Sequence, residues 1–476
     1  VTVFEEGLAC HGHSIELRHN LASALMQTGE LLRARDQLHT ALESKPDFAE
    51  AHNNLGLVLR DLGTLEQAFE HFERAAALGL AQAHINIGNM HADQGRREQA
   101  RQAYRRAIEL QSDNAGAYHN LADEELLANN LEGSEQALRN AIRFNHDTPQ
   151  RRTNLAMAHT NLAMLLLGRG EFAEGWREYQ WRDGGPVENP WRPGHYLPPV
   201  SSFAATDLIG KHLVLTPDQG LGDEIFFLRF AAQARAMGAR ITTYASSKIA
   251  GLLARCCDFT VRDVANSTAR APDADLVLRA GDLPLLLDVR APADIVSPMS
   301  LQADSDTLFT VKRELQAAGP PPYLGITWRA GTTNRAALQK EIPLQLLLDA
   351  VADWPGTVVV LQRNPREDEL ATVKATLGAA RVADRSDLNE NLEGMLALLS
   401  LLDEYTGVSN TNVHLRASLR RSARVLVPFP PDWRWMNEGD SSPWFPGMLV
   451  YRQSPDLDWA PCLHGLRAGL SEALAG

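Results

Sequence analysis

A segment beginning "NLASALMQTGELLRARDQLHTAL" at Asn20 recurs at Asn54, Asn86 and Asn120, in steps of 34, 32 and 34 residues. Self-similarity at this period marks a chain built from stacked units, none of which can bury its apolar face alone. Small residues keep the same step, at Ala34, Ala68, Ala100 and Ser134 and again at Ala41, Ala75, Ala107 and Ala141. They predict two helices per unit that approach closely at those positions. Gly29, Gly63, Gly95 and Asn129 fall where the chain must turn between the helices, and asparagine shares glycine's tolerance of the left-handed region.

This pattern resembles the tetratricopeptide repeat, which implies antiparallel helix pairs wound into a superhelix and a surface suited to a protein or peptide partner. A fifth unit carries an insertion. Asn154 opens "NLAMAHT" and Asn161 opens "NLAMLLL" before the unit ends in "GRGEFAEGWREYQWR", and seven extra residues are worth about two helical turns. "FEEGLACHGHS" reads as the tail of a second helix whose own repeat lies upstream, so the chain is expected to be truncated there.

Residues 183–206 hold five prolines and three glycines with no sustained period, an extended connector on which Trp191 and Tyr196 suggest pinning against a domain. Beyond it the pattern alternates. Strand-like runs at 212–216, 240–245, 275–280, 323–329, 357–363, 405–409 and 423–429 are mostly separated by helical stretches, which argues parallel sheets covered on both faces. "AAGPPP" at 317–322 divides two such series. The expected organisation is repeats over 1–182, connector over 183–206, Rossmann-like halves over 207–317 and 318–455, and a closing helix over 456–476. Ligands are expected in the cleft, at the carboxyl ends of the strands.

Composition narrows the function. With 46 Lys+Arg against 59 Asp+Glu the formal net charge is −13, which disfavours general nucleic-acid binding. Four cysteines form no CxxC pair and no metal-ligand spacing, which fits a reducing compartment. No apolar run is long enough to span a membrane and no signal peptide is evident, so the expectation is cytoplasmic.

Five motifs, in order, carry a further resemblance: "DQGLGDEIFFLRFAAQARAMGA", "GITWRAGT", "VVVLQR", "GVSNTNVHLRASL" and "VLVPFPPDWRWMNEGDSSPWFPG". Together they are similar to bacterial tetratricopeptide proteins with a glycosyltransferase domain of the ADP-heptose–lipopolysaccharide heptosyltransferase kind, glycosyltransferase family 9. The resemblance covers essentially the whole chain. It implies an all-α superhelix followed by an α/β GT-B fold, two Rossmann-like domains facing a cleft. The layout also resembles that of O-GlcNAc transferase, whose donor-site motifs are not evident here.

The resemblance implies roles residue by residue. Asp223 matches the acidic residue that serves as catalytic base in an inverting transfer; from the residues alone, capping the helix is an equal reading. A helix start would lower its pKa. Gln219, Gly220 and Gly222 form a turn whose N–H groups could meet an oxyanion. On the donor side, Asn410, Thr411, Asn412 and His414 open a helix suited to a diphosphate. Family 9 commonly has Asp-Thr where this chain has Asn410-Thr411, and His414 could equally be a capping or core residue. Lys340 stands nearest the family's basic residue for the leaving diphosphate, while Arg329 and Arg335 could equally be solvated loop charges. Trp433, Trp435 and Trp444 either line a sugar site or pack their loop. No cofactor or metal is implied beyond a nucleotide-sugar co-substrate. The function implied is sugar transfer from a nucleoside-diphosphate donor to a hydroxyl acceptor, a protein presented by the repeats. The alternatives are an interaction scaffold with an inactive nucleotide-binding domain and a glycan-directed heptosyltransferase-like enzyme.

Overall fold

The computed structural model describes residues 1–145, 149–182, 199–265, 273–330 and 340–475. Two units divide it, Val1–Ala158 and His159–Gly476.

The first unit opens with α1 (Thr2–Cys10). Antiparallel pairs follow: α2 (Ile15–Gln27) with α3 (Leu31–Ser44), α4 (Ala49–Asp61) with α5 (Leu65–Ala77), α6 (Ala81–Asp93) with α7 (Arg97–Leu110), and α8 (Ala115–Leu127) with α9 (Leu131–Arg143). The turns are closed as the sequence requires. Gly29, Gly63, Gly95 and Asn129 have φ of 78°, 83°, 71° and 58°, and the next residue's N–H returns to a carbonyl of the preceding helix, as in Thr64 N to Leu59 O at 2.9 Å. Ala34, Ala68, Ala100 and Ser134 are buried where the helices meet. A Cβ on Gly56 would lie 2.6 Å from the Phe72 ring, and one on Gly88 2.4 Å from Tyr104, so in these two pairs an aromatic of the second helix rests on bare backbone of the first. Side-chain amides tie neighbouring repeats together, Asn86 Nδ2 donating to Asn53 Oδ1 at 2.7 Å and Asn120 Nδ2 to Asn89 Oδ1 at 2.9 Å. The inserted unit forms α10 (Pro149–Arg169), 21 residues against 13 or 14 in the paired helices α2 to α9.

The second unit begins inside the stretch expected to be repeat. Gly170, with φ 85°, turns the chain into α11 (Phe172–Tyr179), and Phe172, Trp176 and Tyr179 are buried with Phe226 and Phe227 of the first α/β half. This pair keeps the repeat's turn, but its second helix carries large aromatics that complete another core. Trp191, Tyr196 and Arg335 lie outside the described residues.

The first sheet contains β1 (His212–Thr216), β2 (Arg240–Ala245), β3 (Thr260–Asp263) and β4 (Leu276–Arg279), all parallel, in the order β3-β2-β1-β4. Its helices are α12 (Leu221–Phe227), α13 (Arg229–Ala236), α14 (Ser247–Cys256) and the single turn α15 (Leu283–Leu286). The second sheet is also parallel: β5 (Tyr323–Thr327), β6 (Thr357–Val360), β7 (Val382–Asp384), β8 (Glu404–Val408), β9 (Arg424–Val427) and β10 (Leu449–Arg452), in the order β10-β9-β8-β5-β6-β7. Val359 faces the core that holds α16 (Ser305–Ala318), α19 (Leu392–Leu401) and α20 (Thr411–Ser418). Val358 and Val360 face α17 (Leu344–Val351), α18 (Glu367–Leu377) and α21 (Ala460–Ala475). The expected closing helix is α21, packed through Leu463, Leu466 and Leu470 on the second half.

Strand order marks where a ligand crevice is expected in each half. In each sheet the chain first builds outward in one direction and then reverses, between β1 and β4 and between β5 and β8, and loops after such strands diverge to leave a crevice.

Candidate functional site

The two crevices are occupied differently. In the first half, Arg182 fills the gap: its guanidinium pairs at 2.7 Å with Asp218 Oδ2 after β1 and at 2.7 Å with Asp282 Oδ1 after β4. Asp218 also accepts from the Gly281 amide at 2.8 Å. Burial alone would raise the Asp218 carboxyl. Arg182, Arg279 and that amide outweigh burial and hold it below the ordinary carboxylate range.

In the second half the switch point is formed by the segments after β5 and β8. Asn410 caps α20, its Oδ1 accepting from Asn412 N at 3.0 Å and from the Tyr405 hydroxyl at 3.2 Å. Its Nδ2 donates to Thr327 Oγ1 at 3.0 Å. Thr411 opens the helix, and Asn412 and His414 are buried within it. Lys340, on the segment returning beside β5, donates to Asp432 Oδ2 at 3.0 Å. Arg329 is directed elsewhere: its guanidinium pairs with Glu369 and donates to Asn364 O at 2.8 Å.

The opposite wall is α12. Gly220 precedes it with φ −160°, extended backbone that any residue adopts, so the turn itself does not require glycine there. Gly222 is needed for another reason. A Cβ there would sit 3.0 Å from His414 Cδ2 and 3.1 Å from Nε2, so α12 of the first half and α20 of the second touch through a missing side chain. Gln219 is exposed, its amide donating to Asp218 Oδ1 at 3.1 Å.

Asp223 follows Gly222 and meets Arg434 of the second half in an ion pair, its side chain a quarter exposed. Burial raises its pKa above the ordinary value and outweighs Arg434, opposite to the lowering expected from a helix start alone. Its neighbour Glu224 turns inward to accept from Ser246 N at 3.1 Å.

Asp432 and Arg434, which no sequence motif singles out beside the tryptophans that flank them, complete the wall. Arg434 Nη1 also donates to Asp432 Oδ1 at 3.3 Å, so charges alternate along Asp223, Arg434, Asp432 and Lys340. Burial opposes ionisation of Asp432, but Lys340 and Arg434 hold it far below the carboxylate range. Charged residues inside a buried aromatic run need partners, and that was the signal available in "DWRW".

Trp433, Trp435 and Trp444 are buried against Phe226, Phe445 and Trp176, so they pack the loop. His414 lies edge-on to Phe226 and Phe445. Burial, then Arg434 and Arg229, hold it well below its ordinary pKa, hence neutral, and its Nδ1 has no hydrogen-bond partner among the described residues. Arg229 spends its donors on the carbonyls of Phe226 and Trp444, and burial with Arg434's charge lowers it to about 9.

Fold and site thus define a stack of tetratricopeptide-type helix pairs followed in the chain by a two-lobed α/β unit, each lobe a parallel sheet with flanking helices. Tetratricopeptide-repeat family profiles match residues 19–83 and 88–123. Protein FlbA of Caulobacter vibrioides is 25% identical over 480 residues, spanning 97% of this chain and 73% of that protein. Among solved structures, a glycosyl transferase family 9 protein from Veillonella parvula aligns with 56% of this chain and 99% of its own at 11% identity and a TM-score of 0.43. Pseudomonas aeruginosa pilF aligns with 37% of this chain and 78% of its own at 23% identity and a TM-score of 0.32.

Proposed function

We propose that this chain transfers a sugar from a nucleoside-diphosphate donor to a hydroxyl group, with the diphosphate held by the second half and Asp223 of the first half acting as base. The observation that carries this reading is the juxtaposition of one partly exposed carboxylate, its proton affinity raised by burial, with a lysine and a helix N-terminus at the second sheet's switch point. In the transfer, Asp223 takes the acceptor's hydroxyl proton while that oxygen bonds to the anomeric carbon. The bond from that carbon to the diphosphate oxygen breaks, and its electron pair leaves with the diphosphate. Attack from the face opposite the leaving group inverts the anomeric centre. Lys340 and the α20 N-terminus meet the departing charge without a metal. The first half's crevice, filled by Arg182, supports assigning the donor to the second. The repeats present the acceptor, a protein.

The test is a thermal-shift survey with UDP, ADP, GDP, CMP and dTDP compounds, followed by turnover of whichever donor binds. Asp223→Asn is expected to keep donor affinity and reduce turnover by about 10² or more. Unchanged turnover would refute the base assignment. A second reading, a nucleotide-binding scaffold without activity, draws on the engagement of Asp223 by Arg434; it predicts nucleotide binding with no donor consumption.

A further inference from the structure

Resting on the reading of Asp223 as base, we propose that Arg434 is its positioning residue: reaching across from the second half and anchored by Asp432, it fixes the carboxylate's orientation and sets the pH at which that carboxylate can accept a proton.

Three features of the geometry carry this. Arg434 is itself held. Asp432 caps the short turn Trp433–Trp435, accepting from the Arg434 amide at 3.1 Å and from its Nη1 at 3.3 Å, while Lys340 pins the other Asp432 oxygen at 3.0 Å. The guanidinium lies in the corner of two near-perpendicular rings, 4.3 Å from the Trp433 ring centroid and 4.9 Å from that of Phe226, which limits its swing. Arg434 is 8% exposed, and its planar guanidinium divides its two arms, Nη2 to Asp223 Oδ1 and Nη1 to Asp432 Oδ1, a rigid bridge between two carboxylates that an ammonium does not reproduce.

The surrounding charges make the effect measurable. Arg434 and Lys340 favour ionised Asp223; burial, Asp218 and Asp432 favour the protonated acid; the Tyr179 phenol and the Glu224 carboxyl lie within its field. Removing Arg434 therefore raises the proton affinity of Asp223, and removing the charge of Asp432 lowers it.

The experiment is a carbon-13 NMR titration of the full chain labelled at aspartate carboxyl carbons, with the Asp223 signal assigned by its loss in Asp223→Asn. In Arg434→Gln the Asp223 midpoint is expected to rise by about one pH unit or more, a tenfold gain in proton affinity. Unfolding cannot imitate this, since it would return the group toward its lower ordinary value. In Asp432→Asn, which keeps the shape of the cap, the midpoint is expected to fall. Arg434→Lys, which restores the charge but not the rigid two-armed bridge between Asp223 and Asp432, is expected to bring the midpoint most of the way back while leaving turnover reduced. The acid limb of the turnover profile should move with the midpoint. A midpoint unmoved in Arg434→Gln overturns the proposal; if that variant does not fold, an unmoved midpoint in Asp432→Asn does. The two readings fail separately: full turnover in Asp223→Asn would remove the base assignment, whereas its loss combined with an unmoved midpoint removes only the role given to Arg434.

Discussion

Gly222→Ala isolates the contact on which the two α/β halves meet. The added methyl carbon would lie 3.0 and 3.1 Å from two atoms of the His414 ring, roughly 0.5 Å or more inside the optimal separation of about 3.5–4.0 Å. The ring cannot step aside, because it is buried edge-on against Phe226 and Phe445. The helices α12 and α20 must then separate by several tenths of an ångström, and overpacking of this kind costs about 1–3 kcal/mol. Gly251→Ala is the matched control: it lies within α14, nothing stands within 4 Å of its built Cβ, and the helix gains up to about 1 kcal/mol of propensity. Differential scanning calorimetry of the two variants should move the second unit's transition in opposite directions, by a few degrees downward for Gly222→Ala, on the scale of about 1.5 °C per kcal/mol for a unit of this length. The displacement also shifts Asp223 relative to Arg434, so turnover should fall in the same variant and not in the control. Equal transitions and equal turnover would show that the halves do not depend on this approach.

Lys340→Ala should weaken nucleoside-diphosphate binding in calorimetric titration while leaving Asp432 partnered by Arg434; unchanged affinity would move the donor contact elsewhere. Arg182→Leu strands Asp218 and Asp282 as buried charges and should cost about 3–5 kcal/mol, read in denaturant unfolding. Asp218 also gives that stability a pH dependence. Its folded pKa lies below the unfolded value, so its contribution is present above about pH 4 and is lost as pH falls through the lowered value. Arg182→Leu should flatten that limb.

The repeat was legible because its constraints are local and recur. A turn glycine with positive φ and an alanine between touching helices each depend on a neighbour a few residues away, and four copies vote on every position. The same register shows where reading the pattern forward stops. The position in step with Ala41, Ala75, Ala107 and Ala141 is Arg182 in the fifth unit, and the structure pairs it with Asp218 and Asp282, 36 and 100 residues away. A large buried cation at an alanine position, three residues past the end of α11, says that this segment faces something else, but its partners follow only from the fold. Likewise the strand runs rich in Val, Ile and Leu announced themselves, whereas β3 "TVRD", β7 "VAD" and β10 "LVYR", short and less deeply buried at or near sheet edges, lacked the apolar signal.

The site was legible in its backbone positions and not in its charges. A glycine followed by an acid after a strand, and a polar tripeptide opening a helix after another, are consequences of how parallel strands feed helices, and the crevice expected in each half follows from strand order. What Gly222 is for could not be read locally, because the reason is a histidine 192 residues further on. The pKa of Asp223 reversed for a related cause. A helix start acts on a carboxylate over one turn, whereas burial depends on everything that covers it, and here the cover comes from α20, the Trp433–Trp435 turn and the aromatic cluster of the other half. Arg434 illustrates both points. In sequence it separates two tryptophans that draw the eye as sugar platforms; in the fold those rings are buried, and one of them helps hold the cation that meets Asp223. The aromatic residues thus shape the chemistry of this cleft through the charge they clamp, and for that reason replacing Trp433 by Phe, which preserves a ring face, should disturb the Asp223 midpoint less than replacing it by Leu.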